Sequence, residues 1–146
     1  DNDGTRYFMT CNGGANGRFR IYSNGNAVNS NNSWGALSDI KLKENIVDAS
    51  SQWNDIKNLR VRKFNFKTDS SKTLLGLVAQ EAETVSPGIV ETHKDTEVTD
   101  EGVKELGTET KSVKYSVLYM KALKALQEAM AKIEVLETKV AALESA

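Results

Sequence analysis

The chain has 146 residues and a net charge of −1, from 19 Lys and Arg against 20 Asp and Glu, which lacks the basic excess of a nucleic-acid module. Cys11 is the only cysteine and His93 the only histidine, so neither an intrachain disulfide nor a cysteine-based metal cluster is available. No apolar run approaches membrane-spanning length, and no signal peptide opens the chain.

Composition divides the sequence into three zones, with net charges of about +1 over residues 1–37, −4 over 38–110 and +2 over 111–146. The first zone holds eight Asn and six Gly. Within it, Arg6-Tyr-Phe-Met-Thr10 and Arg18-Phe-Arg-Ile-Tyr22 read as short strands, separated by Asn-Gly-Gly-Ala-Asn-Gly and followed by Ser23-Asn-Gly-Asn26. Asn-Gly and Gly-Gly supply the positive φ that tight hairpin turns need. So few apolar residues cannot bury a core alone, and these strands should need neighbours from upstream repeats or other copies of the chain. The first residue falls mid-pattern, as in a C-terminal piece of something longer. Phe19, Tyr22 and Trp34 are read as packing between subunits of a stalk in preference to a sugar-binding tip.

The composition changes at Ser38-Asp-Ile-Lys-Leu-Lys-Glu-Asn-Ile46. Here a hydroxyl and an amine, on Ser38 and Lys43, stand five residues apart. Serine becomes a useful nucleophile when a base takes its proton, and a lysine amine can be that base when desolvation or nearby positive charge favours its neutral form. Lys41 competes with Lys43 for the role. On an α-helix five residues would set Lys43 roughly 140° around the axis from Ser38, so the pair needs a turn at Asp39-Ile40 to meet. Leu42 and Ile46, four apart, are expected to face a core and dry the lysine's surroundings. Asp39 orients the turn or the lysine, or is simply an acidic residue favoured at a helix N-terminus.

The middle zone reads as mixed α and β. Gln52–Leu59 suits a short helix carrying Trp53 and Ile56, and Arg60–Lys67 a strand. The basic stretch Lys57–Lys67 is read as a charged strand edge that blocks stray pairing, in preference to a nucleic-acid face. Leu74–Val85 begins β-like and turns helical, stopping before Pro87-Gly88. Ile89–Glu91 and Val113–Tyr115 suggest strands flanking a polar segment, His93–Lys111, expected to be a mobile hairpin or loop with His93 solvated.

From Ser112 to Ala146 there is neither Gly nor Pro. Leu126, Ile133 and Val140 recur every seven residues, with Ala129, Leu136 and Leu143 three after each, giving the a/d seam of a coiled coil. Leu123 and Met130 widen the stripe toward a globular body. Such a helix is marginal unpaired, so an oligomer is expected, and the Ile/Val/Leu pattern leaves dimer and trimer open.

Three segments in order resemble the signatures of one family: Trp34-Gly-Ala-Leu-Ser-Asp-Ile-Lys-Leu-Lys-Glu-Asn-Ile46, Gly76-Leu-Val-Ala-Gln-Glu-Ala82 with Pro87 beyond, and Val113-Lys-Tyr-Ser-Val-Leu118 entering the helix. They resemble the intramolecular chaperone autoprocessing domain, the peptidase S74 type, which ends phage tailspikes and tail fibres such as the endosialidases and is shared with the eukaryotic myelin regulatory factor. The resemblance spans about residues 33–143. It implies an α+β homotrimer in which residues 1–37 end a β-rich fibre stalk and residues 38–146 form the chaperone, a small mixed body with a coiled-coil helix over about 115–146.

The implied function is to trimerise and assist folding of the upstream β-helical stalk, then to cut the Leu37-Ser38 bond. In that scheme Ser38 is the nucleophile, Lys43 the general base, and the chain a serine endopeptidase acting once, in cis. Asp39 and Asn45 are possible supporting residues, Asn45 as an oxyanion donor. No metal, cofactor, nucleic acid or membrane enters the scheme. Its partners are other copies of the chain and its own upstream fibre domain, in a virion fibre precursor assembled in the host cytoplasm. The alternatives are a structural trimerisation or attachment tip that never cleaves, and the processing domain of a membrane-tethered transcription factor. The last would need DNA-binding and transmembrane regions outside this sequence, and the Asn/Gly-rich strands suit a fibre better.

Overall fold

The computed structural model describes residues 6–13 and 16–145, which form a mixed α+β structure of small antiparallel sheets and a long C-terminal helix. It divides into two compact units, Asp1–Val47 and Asp48–Ala146.

In the first unit, β1 (Tyr7–Gly13), β2 (Asn16–Tyr22) and β3 (Ala27–Asn29) form a three-stranded meander. Bulges interrupt the β1–β2 ladder between Tyr7 and Met9 and between Cys11 and Asn12. The tip of the expected Gly-Gly-Ala turn, residues 14 and 15, lies outside the described residues. At the next turn the expectation is met: Gly25 has φ +85°, Tyr22 N–H reaches the Asn26 carbonyl at 2.8 Å, and the Asn24 side chain accepts Asn26 N–H at 3.1 Å. Edge-to-face pairs hold the sheet and its exit: Tyr7 with Tyr22 at 5.0 Å and Phe19 with Trp34 at 5.6 Å between centroids. No described side chain of this unit is buried, and Phe8 and Trp34 are largely exposed. This is the coreless sheet anticipated from composition.

The second unit begins with α1 (Trp53–Asn58), then the hairpin β4 (Arg62–Phe66) and β5 (Asp69–Gly76). Next come α2 (Ala79–Val85), a 3-10 turn at Pro87–Ile89, the hairpin β6 (Val90–Thr99) and β7 (Gly102–Val113), and α3 (Tyr115–Glu144). Pro87 ends α2 as expected, but Ile89 belongs to the 3-10 turn and not to a strand. Ile89 is fully buried, with Ala82 and Ser86 also buried where α2 runs into the 3-10 turn, while Ala125, the buried residue of α3, lies beside Trp53 and Ile56 of α1. Tyr115 starts the helix, as expected of a helix over about 115–146, and is not the end of a strand over Val113–Tyr115. Its hydroxyl accepts Leu77 N–H at 3.2 Å, and the close approach leaves room only for glycine at 76, since a Cβ there would lie 2.8 Å from that hydroxyl.

The polar segment over residues 93–111 is a hairpin, as expected, with a far longer ladder than its polarity suggested. Cross-strand chemistry explains it: Lys94 pairs with Glu105 at 2.9 Å, Thr108 donates to Asp95 at 2.7 Å, and His93, exposed, lies 3.0 Å from Ser112 Oγ. Gly102 at φ +124° closes the tip, and Gly107 at φ +76° lies opposite the ladder irregularity between Lys94 and Thr96.

Polar links dock α1 on α3. Glu128 accepts Ser51 Oγ–H at 2.8 Å and Gln52 N–H at 3.0 Å, Lys121 bonds Asp55 at 2.8 Å, and Lys132 lies 3.6 Å over the Trp53 ring. Hydrogen bonds from Lys121 and then Ser86 hold the Asp55 carboxyl below its ordinary range. Arg62, in the basic stretch, is committed to Glu81 through Nε at 2.9 Å and Nη2 at 2.6 Å. That fork keeps Glu81 ionised to lower pH than usual, so its stabilisation is present above the ordinary Glu range and fades as pH falls through it. Glu81→Gln should therefore lower the melting temperature at pH 7, and by progressively less as pH is lowered below the ordinary Glu range, measured by thermal circular dichroism.

On α3 only Ala125 is buried. Leu126, Ile133, Leu136, Val140 and Leu143 are each more than half exposed on the single chain, although the stripe spans a helix about 45 Å long. No helix among the described residues is long and apolar enough to cross a membrane.

Candidate functional site

Ser38 follows an irregular stretch leading from the meander, and Asp39 then caps a 3-10 turn at Ile40–Leu42. Asp39 is extended, with φ −64° and ψ 139°, so its side chain can reach forward, and Oδ1 accepts Lys41 N–H at 3.0 Å. Its carbonyl accepts Leu42 N–H at 3.1 Å, and the Ile40 carbonyl accepts Lys43 N–H at 3.1 Å. A 3-10 turn advances 120° per residue, tighter than an α-helix, and Lys43 leaves it extended at φ −127°. The result brings the chain back on itself. Lys43 Nζ donates to Ser38 Oγ at 2.6 Å.

The competing lysine is held elsewhere: Lys41 Nζ lies 3.6 Å from Asp39 Oδ2, with both side chains exposed. Asn45 takes the left-handed conformation, φ 53°, just beyond the turn, and makes no hydrogen bond to Leu37 or Ser38 among the described residues. Leu37 is 91% exposed, which leaves the Leu37-Ser38 peptide accessible. One expectation fails. Leu42 and Ile46 are 61% and 63% exposed, so on the single chain they do not dry the lysine. The turn is too short to present a helical face, and a four-residue spacing has packing meaning only on one.

The groove of about 820 Å³ between residues 49–51 and α3, lined by Lys124, Glu128, Lys132 and Val135 among others, contains none of these residues. Among the described residues no group of three or more His, Cys, Asp or Glu is placed to hold a metal ion.

Residues 38–91 match the model of the peptidase S74 family, described as the chaperone of endosialidase, so over that stretch the family is the one the sequence resembles. Among solved structures, the chain is similar to the carboxy-terminal domain of the bacteriophage T5 L-shaped tail fibre with its intramolecular chaperone domain. That similarity has 15% identity and a TM-score of 0.49, covering 86% of this chain and 41% of the fibre chain. The chain thus spans less than half of that fibre chain. No curated protein matches it.

Proposed function

We propose that this chain is the chaperone end of a phage fibre or tailspike precursor, that it acts as a homotrimer, and that it releases itself by cutting Leu37-Ser38. The observation that carries this reading is the 2.6 Å contact between Lys43 Nζ and Ser38 Oγ, set at the first residue of the family match. In this reading residues 1–37 are the end of the stalk, and residues 38–146 the chaperone.

With the amine neutral, the hydrogen bond reverses and Nζ accepts the Oγ proton as Oγ attacks the Leu37 carbonyl carbon. Collapse of the tetrahedral carbon breaks its bond to nitrogen while Nζ returns the proton to that nitrogen, which is Ser38's own. Leu37 is then esterified to Ser38 Oγ. One water hydrolyses the ester, giving a Leu37 carboxylate, a proton and a chain that begins at Ser38 with its hydroxyl restored. Nucleophile and carbonyl belong to adjacent residues, so no binding event is needed to bring them together.

Assembly is supported by the helix. The exposed seam of α3 from Leu126 to Leu143 suits a three-stranded coiled coil, and the coreless meander suits strands that need neighbours from other copies. Interwound strands form slowly and expose edges while they form, so a cap that fixes register raises their yield, and its removal turns stability into a barrier height. Host cytoplasm is where such a precursor would assemble.

The test is fragment size on a denaturing gel after expression. The wild-type chain should be cut and Ser38→Ala should remain whole. Identical patterns would favour a structural trimerisation tip with an inert Ser38.

A further inference from the structure

We infer that Asp39 is a positioning residue of the self-cleavage, capping the turn that brings Lys43 back to Ser38; this rests on the Ser-Lys reading above. The single carboxylate makes two contacts. Oδ1 closes the turn through Lys41 N–H at 3.0 Å, and Oδ2 lies 3.6 Å from the Lys41 amine. The two lysines are two residues apart and equally long, so sequence alone makes them rivals. Closing the turn sends Lys43 back to Ser38 and leaves Lys41 on the carboxylate side.

Magnitude separates the two contacts. The ion pair is long and its side chains are 76% and 52% exposed, a setting in which such pairs contribute little. A side-chain cap is the stronger term, and its removal shifts the local equilibrium about fivefold. The capping oxygen therefore matters more than the charge, and Asn or Ser, which also cap, can replace Asp.

The experiment compares first-order cleavage after refolding of the 146-residue chain and its Asp39→Asn, Asp39→Ser and Asp39→Ala variants. Asp39→Asn and Asp39→Ser should cleave within about twofold of wild type, and Asp39→Ala about fivefold slower. Adding Lys43→Met to Asp39→Ala should abolish what remains, whereas adding Lys41→Met should not. A second measurement does not depend on cleavage. In the uncleavable Ser38→Ala background, amide hydrogen exchange at Lys41 and Leu42 should be faster in Asp39→Ala and unchanged in Asp39→Asn.

If Asp39→Asn is as slow as Asp39→Ala, the charge and not the cap is at work, and the inference is overturned. Unchanged exchange in Asp39→Ala overturns it equally. The Ser-Lys reading fails separately, if Ser38→Ala still cleaves.

Discussion

Lys43→Met should slow cleavage at Leu37-Ser38 by about 100- to 10,000-fold, the usual contribution of a general base, while Lys41→Met stays within a few-fold of wild type. Methionine keeps the unbranched stem and removes the amine, so the turn and the local packing are preserved while the 2.6 Å contact with Ser38 Oγ is lost. Lys41 differs only in geometry: its amine lies 3.6 Å from Asp39, on an exposed side of the same turn. A time course on denaturing gels distinguishes the two, and the reverse ranking would reassign the base.

The second large effect concerns α3. Ile133→Asp should convert the assembled protein to a monomer at micromolar concentration, by light scattering after gel filtration, and slow cleavage with it. In a three-stranded seam one substitution buries three unpaired carboxylates, and each costs several kcal/mol or forces its own protonation. The dissociation constant should rise by roughly three orders of magnitude or more. Thr138→Ala is the control: its hydroxyl bonds the Glu134 carbonyl one turn back, at 2.9 Å, and its loss should leave assembly unchanged. A monomeric Thr138→Ala variant, or an assembled Ile133→Asp one, would contradict the seam.

Much of this was legible because it is local. The absence of Gly and Pro after Ser112 and the seven-residue recurrence mark the helix, and Pro87 marks the end of α2. Asn24-Gly25 marks a tight turn. What local pattern could not give was pairing at a distance. The regularity of β6–β7 depends on Lys94 meeting Glu105 and Asp95 meeting Thr108, and the docking of α1 depends on Glu128 and Lys121, more than 60 positions away. Nothing in a run of alternating charges distinguishes a solvated loop from such a ladder.

The candidate site was half legible. Residue types offer Ser38 with Lys41 or Lys43 as its base, the family resemblance favours Lys43, and an α-helical reading keeps Ser38 and Lys43 apart. The signal for the 3-10 turn is Asp39 itself, a capping residue directly before Ile40. The spacing of Leu42 and Ile46 misleads for the same reason, since it has packing meaning on a helix and this turn is only three residues long. Their exposure, and that of Leu37 and Ile40, leaves apolar surface beside the Ser-Lys pair that assembly would cover.

The most direct test of self-cleavage is the intact mass of the purified wild-type chain beside that of Ser38→Ala, with the N-terminus of any product determined. The wild type should give two fragments, one ending at Leu37 and one beginning at Ser38 with masses that sum to the whole plus one water, and Ser38→Ala should give the whole chain alone. A wild-type chain that stays whole once assembled, a product beginning anywhere else, or cleavage that persists in Ser38→Ala would contradict it.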